Sequence, residues 1–350
     1  MISNGNNNKK IRVLLIDDSP LALAVMKRII SSSPDIDVAS EFRSAKEALE
    51  KLASIDPDVI CTDLHMPEMD GLEFTRQVME KFPKPILVVS VSVERSSENA
   101  FKLIEAGAVD LFSKPRGEME AGFKAHADEF LSRIRVLSGV HVFRRFARRP
   151  GPGRMPNPAS RPGSRRPEIV AIGASTGGPQ ALSLILSGLP RDFPVPVVCV
   201  QHISDGFLAG LMEWLKGSCA LEVRKAVEGE RPVPGRVYFP EEGYHLIVGK
   251  DGRFAYSREP FNPHRPSITV TFNSLAEYYG GGVLGVLLTG MGSDGAEGMR
   301  SIASAGGGTI AQDEATSVIF SMPRRAIELG GASEVLPLYE ISHSILSRVS

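Results

Sequence analysis

At 350 residues with 42% hydrophobic content, the chain is long enough for about two domains with their own cores and too long for a small disulfide-stapled scaffold. Its formal net charge of −1 argues against a nucleic-acid backbone as the main partner. Cys61, Cys199 and Cys219 show no CxxC spacing and the first two fall in apolar runs, which points to buried, reduced thiols and a cytoplasmic chain, while MISNGNNNKK lacks a signal-peptide core and no later run suggests membrane insertion.

In chain order, IRVLLID reads as a strand, Pro20 to Ser31 as a helix, DVASE as a strand and Ser44 to Ala53 as a helix. DVICTD, a helix near Gly71 to Lys81, PILVVS, a helix from Ser97 to Ala106, and DLFSK follow. Such alternation predicts a doubly wound parallel α/β sheet, whose ligands gather at the carboxyl ends of the strands. Those ends carry Asp17 and Asp18, Asp63, Ser90 and Lys114. Three crowded carboxylates repel one another, so the arrangement calls for a hard divalent cation, most plausibly Mg2+. If Asp63 attacked a phosphoryl donor, the metal and Lys114 would neutralise the developing charge and Ser90 would bond the phosphoryl oxygens. The bland alternative makes the aspartates helix caps and the lysine a surface charge, and leaves their shared edge unexplained.

IDDSP, CTDLHMPEMDG, ILVVS and SKP together resemble the signature segments of the response-regulator receiver domain, over Ile11 to about Pro115. The resemblance implies a flavodoxin-like fold over residues 9–116, Asp63 as phospho-acceptor, Asp17, Asp18 and Asp63 around Mg2+, and Ser90 and Lys114 as the residues that respond to the phosphoryl group. One position departs from the pattern: three residues before the lysine, where many receivers carry an aromatic switch, stands Leu111, with Phe112 beside it. Adjacent strand residues face opposite sides, so a rotating ring is not expected at that place.

Residues 117–167 are assigned to a linker, because between His141 and Pro167 arginine, proline and glycine crowd together with almost no aliphatic residues. A solvated flexible tether competes there with a contact to nucleic acid or an acidic surface. Residues 168–350 alternate again, as EIVAIGAS, a helix from Gln180 to Leu189, VPVVCVQH and a further helix. Then come the β-rich segments VYFPEEGYHLIV and FAYS, a helix from Ser267 to Tyr279, GVLGVLLTG, a helix from Ala296, and GTIAQDE. This predicts a second parallel α/β domain with an antiparallel hairpin insert.

The turn after its first strand contains GASTG, which fits GxSxG. It is either a nucleophile's strand-to-helix turn or an inert glycine-rich turn; a phosphate cradle is weakened because GxGxxG and GxxxxGK[ST] are absent. A nucleophile needs partners, and the strand ends offer Ser175, His202, Asp294 and Asp313 on one face. Of the seven histidines, only His202 directly follows a β-branched run at that edge, with His264 in FNPHRPS as its rival. Asp294 and Asp313 each follow a strand and each could instead cap a helix, so the orienting acid stays open on these grounds.

VAIGASTGGP, VQH, HRPSITVTFNSLAE, GVLLTGMGSDGAEGM and GGGTIAQDEATSVIFSMP resemble the catalytic domain of the chemotaxis response-regulator protein-glutamate methylesterase/protein-glutamine glutaminase family, over Glu168 to about Pro337. The resemblance implies Ser175 as nucleophile, His202 as base and Asp294, rather than Asp313, as the orienting acid. Thr176 is better placed to lend its backbone N–H to an oxyanion than to attack, and Met291 in TGMG either lines the site or packs structurally. The substrate implied is a methylated glutamate, or a glutamine, on a chemoreceptor's cytoplasmic domain. Phosphorylation by a chemotaxis histidine kinase would activate the enzyme, with no cofactor expected for hydrolysis and no nucleic-acid or membrane partner. A phosphorylation-controlled binding module and an esterase acting on a small ester are the competing readings.

Overall fold

The computed structural model describes residues 9–91, 94–115, 122–140, 165–259 and 265–349. The chain divides into two compact units, up to residue 147 and from residue 148.

The first unit alternates β1 (Ile11–Ile16), α1 (Pro20–Ser31), β2 (Ile36–Phe42), α2 (Ala45–Ile55), β3 (Val59–Thr62), α3 (Gly71–Lys81), β4 (Ile86–Ser90), α4 (Glu94–Ala106), β5 (Asp110–Ser113) and α5 (Phe123–Leu137). Its strands pair in parallel in the order β2-β1-β3-β4-β5. Every residue of VICT in β3 and ILVVS in β4 is buried, as expected for a parallel sheet covered on both faces. Local chemistry starts the helices: Ser19 caps α1 by accepting from the Ala22 amide ahead of Pro20, and Asp70 caps α3 by accepting from the Glu73 amide at 2.8 Å.

The expected linker over residues 117–167 needs correction at α5, which is part of the first unit. Phe130, Leu131, Ile134 and Leu137 of α5 are buried, and Arg133 forms a buried ion pair with Asp110 of β5. The helix lies ahead of the arginine- and proline-rich stretch, and its apolar stripe at 130, 134 and 137 has helical spacing. Residues 141–164, which hold most of the arginine-rich stretch, lie outside the described residues, as does His264. Leu111 is buried, and Phe112 is packed against α5, its ring 4.5 Å from that of His126 and 5.4 Å from that of Phe130.

The second unit contains β6 (Ile169–Ala174), α6 (Gly178–Ser187), β7 (Val197–Gln201), α7 (Leu208–Ser218), β8 (Glu222–Lys225), β9 (Arg236–Phe239), β10 (His245–Val248) and β11 (Phe254–Ser257). It continues with α8 (Ile268–Tyr279), β12 (Val283–Leu287), α9 (Ala296–Ser304), β13 (Gly308–Gln312), α10 (Ser321–Glu328), β14 (Glu334–Leu336) and α11 (Leu338–Val349). Seven strands form one parallel sheet in the order β14-β13-β12-β6-β7-β9-β8. The segment VYFPEEGYHLIV is therefore split. Its first part, β9, joins the large sheet in parallel, and only β10 pairs antiparallel with β11, from His245 opposite Ser257 to Val248 opposite Phe254.

Cys61 and Cys199 are buried free thiols, and burial pushes both above their ordinary range. Cys219 is only half-buried, so the expectation of a buried thiol fails there: it stands at the end of α7 rather than in a strand. No helix among the described residues is long and apolar enough to cross a membrane.

Candidate functional site

Each sheet reverses its strand order beside the first strand of its domain, the position where helices in such folds diverge to opposite faces and ligands bind at the carboxyl ends of the strands. In the first unit this edge gathers Asp17 and Asp18 after β1 with Asp63 after β3, one carboxylate oxygen of each lying within 4.8 Å of the others. Lys114 Nζ reaches Asp17 Oδ2 at 2.7 Å and Asp63 Oδ2 at 2.8 Å, while the Leu64 amide donates to Asp63 Oδ1 at 2.7 Å. Burial lifts the Asp17 carboxyl above its usual value despite the lysine beside it. Burial also works against the charge on Lys114, but hydrogen bonds to Asp17 and Asp63 prevail and raise it. An all-oxygen cluster of this kind fits a hard divalent cation. Ser90 Oγ is buried with no hydrogen-bond partner among the described residues, leaving a hydroxyl in reserve at the end of β4.

In the second unit, Ala174 of β6 is in register with Gln201 of β7, so Ser175 and His202 leave adjacent strand ends together. The His202 amide donates to Ala174 O at 2.9 Å, and the Ser175 amide donates to Thr289 O, past the end of β12, at 3.1 Å. Ser175, Thr176, His202 and Asp294 are all buried. His202 Nε2 lies 2.8 Å from Asp294 Oδ2. The contact uses Nε2, so Nδ1 is the ring nitrogen turned from the carboxylate.

Asp294 is exceptionally well bonded. Oδ2 also accepts the Ile268 amide at 2.7 Å, and Oδ1 accepts the Ser267 hydroxyl at 2.9 Å and the amides of Thr269 and Gly295 at 3.0 and 2.9 Å. The carboxylate thus sits at the N-terminus of α8, where exposed amides favour negative charge. Burial opposes ionisation of Asp294, but its bonds from His202 and Thr269 hold it well below the usual carboxylate range. Asp313 is placed differently: its Oδ1 accepts from the amide and hydroxyl of Thr316 at 3.0 and 2.5 Å, closing its own turn. Geometry thus separates the two acids that spacing leaves equivalent. Met291 is half-buried in the loop between Gly290 and Gly292.

One residue at this edge, Gln201, is barely signalled in the sequence. Gln201 Nε2 donates to Ser175 O and to His202 O, both at 2.7 Å, so one buried amide ties the Ser175 turn to the His202 strand end. Only its place in VQH hints at this, because the bond to Ser175 spans 26 residues. Close packing demands glycine on both sides: a Cβ at Gly178 would fall 2.1 Å from Gln201 Oε1, and one at Gly290 would fall 2.7 Å from Ser175 Cβ and 2.2 Å from Met322 Sδ.

Residues 170–345 match the CheB methylesterase family model, and residues 13–124 match that of the response regulator receiver domain. The chain is 40% identical over 331 residues to protein-glutamate methylesterase/protein-glutamine glutaminase 4 of Geobacter metallireducens, covering 93% of this chain and 95% of the relative. It is 40% identical over 349 residues to protein-glutamate methylesterase/protein-glutamine glutaminase 2 of Anaeromyxobacter dehalogenans, covering 98% of each. Among solved structures, the Thermotoga maritima CheB methylesterase catalytic domain aligns with 51% of this chain and 97% of its own, at 39% identity and a TM-score of 0.50.

Proposed function

From the premise that this chain belongs to the CheB family of protein-glutamate methylesterases/protein-glutamine glutaminases, carboxylic ester hydrolases with a receiver domain, we propose that it demethylates chemoreceptor glutamates in chemotaxis adaptation by a Ser175–His202–Asp294 mechanism. The carrying observation is the 2.8 Å contact of His202 with a fully bonded Asp294 beside the Ser175 turn. His202 Nδ1 takes the Ser175 Oγ proton as the hydroxyl attacks the ester carbonyl, and Asp294 holds the imidazolium that forms. The Thr176 backbone N–H supports the oxyanion. Collapse of the tetrahedral adduct expels methoxide, which leaves as methanol with the proton from His202. Water, deprotonated by His202, then cleaves the acyl-serine and releases glutamate. A glutamine side chain follows the same path, with ammonia as the leaving group.

Control is assigned to Asp63, which accepts a phosphoryl group from a chemotaxis histidine kinase. Asp17, Asp18 and Asp63 would hold Mg2+, whose charge offsets that of the transferring phosphoryl group. Lys114 holds Asp63 in position, and the reserve hydroxyl of Ser90 takes up a phosphoryl oxygen. The protein works in the cytoplasm, where receptor and kinase present these groups. The test is methanol release from a methylated chemoreceptor cytoplasmic fragment by the full chain, with and without a small phosphodonor and Mg2+. Release that rises with phosphodonor in the intact chain, and not in Asp63→Asn, supports the reading. Undiminished release by Ser175→Ala would refute the nucleophile.

A further inference from the structure

The Asp294–His202 pair is backed by a second layer of buried groups. Ser267, fully buried, is the N-cap of α8; its hydroxyl accepts from the Val270 amide at 3.3 Å and donates to Asp294 Oδ1 at 2.9 Å. Its backbone N–H donates to Nδ1 of His245, also buried, at 3.1 Å. A backbone N–H can only donate, so Nδ1 must be bare and the ring proton must lie on Nε2. That nitrogen is 3.1 Å from the Glu259 carbonyl, which accepts it. Both ring nitrogens are therefore satisfied by one tautomer of the neutral imidazole. A second proton on Nδ1 would set N–H against N–H and break the link to Ser267.

We infer that Ser267 and His245 are positioning residues for the Asp294–His202 pair, fixing the rotation of the Asp294 carboxylate, and that they do so only while His245 is neutral. The inference rests on the reading of Ser175, His202 and Asp294 as the hydrolytic machinery. The backing is rigid because Thr271 Oγ1 bonds Leu246 O at 2.8 Å and the Val248 amide bonds Ser274 Oγ at 3.1 Å, tying β10 to α8. Charges on the surrounding elements act on His245 in both directions. Asp294, from the loop before α9, favours its protonation, whereas Arg265, just ahead of α8, opposes it. Lys250 beyond β10, Glu259 after β11 and Glu277 of α8 line with it a groove of about 820 Å³. Burial, aided by Arg265, holds the ring below the usual histidine range, so the neutral tautomer persists at neutral pH.

The test is methanol release by the full chain, with phosphodonor and Mg2+, from a methylated receptor fragment between about pH 5 and 8. Ser267→Ala removes one of Asp294's donors and is expected to lower kcat roughly ten-fold at neutral pH with KM unchanged, whereas Ser267→Thr keeps the hydroxyl and restores it. His245→Leu is expected to behave like Ser267→Ala. His245→Gln is the sharper variant, because its amide can accept from Ser267 and donate to Glu259 yet cannot titrate. It should match the wild type at neutral pH and lose less activity below it, so that the wild-type to variant ratio of kcat/KM falls as pH drops. Long-range 1H–15N spectra of the imidazole should show the proton on Nε2 of His245. A pH-independent ratio, wild-type kcat in Ser267→Ala, or a proton on Nδ1 would each overturn the inference. Undiminished activity in Asp294→Asn would instead overturn the hydrolytic reading beneath it, so the two failures are distinguishable.

Discussion

Replacing Gln201 with Glu changes one NH2 for one oxygen and leaves volume intact, so it isolates the amide's two donated bonds. In the wild type Nε2 satisfies Ser175 O and His202 O, while Oε1 has no partner among the described residues. The glutamate would face both carbonyl oxygens with acceptors only. Losing the two bonds costs about 2 kcal/mol at ~1 kcal/mol each. Burying a carboxylate against two carbonyls raises its pKa by about 3 units, or roughly 4 kcal/mol at 1.36 kcal/mol per unit. Protonated, the group regains one O–H donor and the loss shrinks to about 1 kcal/mol. Between its unfolded value near ~4.3 and its raised folded value near ~7 the native state would hold the extra proton, so stability falls as pH rises through that window. The second unit carries the chain's one tryptophan, Trp214 in α7, and its fluorescence reports unfolding of that unit in urea. The expected loss in Gln201→Glu relative to wild type is about 5–6 kcal/mol near pH 8 and about 1 near pH 4. Equal losses at both pH values, or none, would refute the account of Gln201 as the clamp between the two strand ends.

Gly178→Ala drives a Cβ into Gln201 Oε1, and should lower kcat by ten-fold or more, measured by methanol release, with the sheet itself intact by circular dichroism. Asp294→Asn keeps the shape of the site but cannot hold an imidazolium, and should lower kcat by about 10²–10⁴-fold. Because its folded pKa is depressed, Asp294 contributes stability above its unfolded value and loses it only as pH falls well below the usual carboxylate range, so Asp294→Asn should flatten the acid limb of the unfolding profile. In the first unit, Arg133→Ala strands Asp110 as a buried charge and should destabilise that unit by about 3–5 kcal/mol in urea, followed by circular dichroism.

Strand-to-helix alternation was legible because parallel strands buried on both faces leave continuous apolar runs such as VICT and ILVVS, and the residues at each sheet's carboxyl edge could be read from which residues follow those runs. That is why Asp17, Asp18, Asp63, Ser90 and Lys114 at one edge, and Ser175, His202, Asp294 and Asp313 at the other, could be placed in advance. What local pattern could not reach was any choice made by contacts between distant segments. Helix α5 hid in a stretch assigned to linker because its partner, Asp110, comes from another element, and VYFPEEGYHLIV read as one unit although its halves join different sheets. Asp294 and Asp313 have equivalent neighbours along the chain; only folding gives one the N-terminus of α8 and the other its own turn. Gln201, Ser267 and His245 share that dependence. Their bonds to Ser175 O, between the Ser267 amide and His245, and to Asp294 span 22 to 27 residues, and a side-chain amide, hydroxyl or imidazole acquires such a partner only when the sheet and α8 bring its target within about 3 Å.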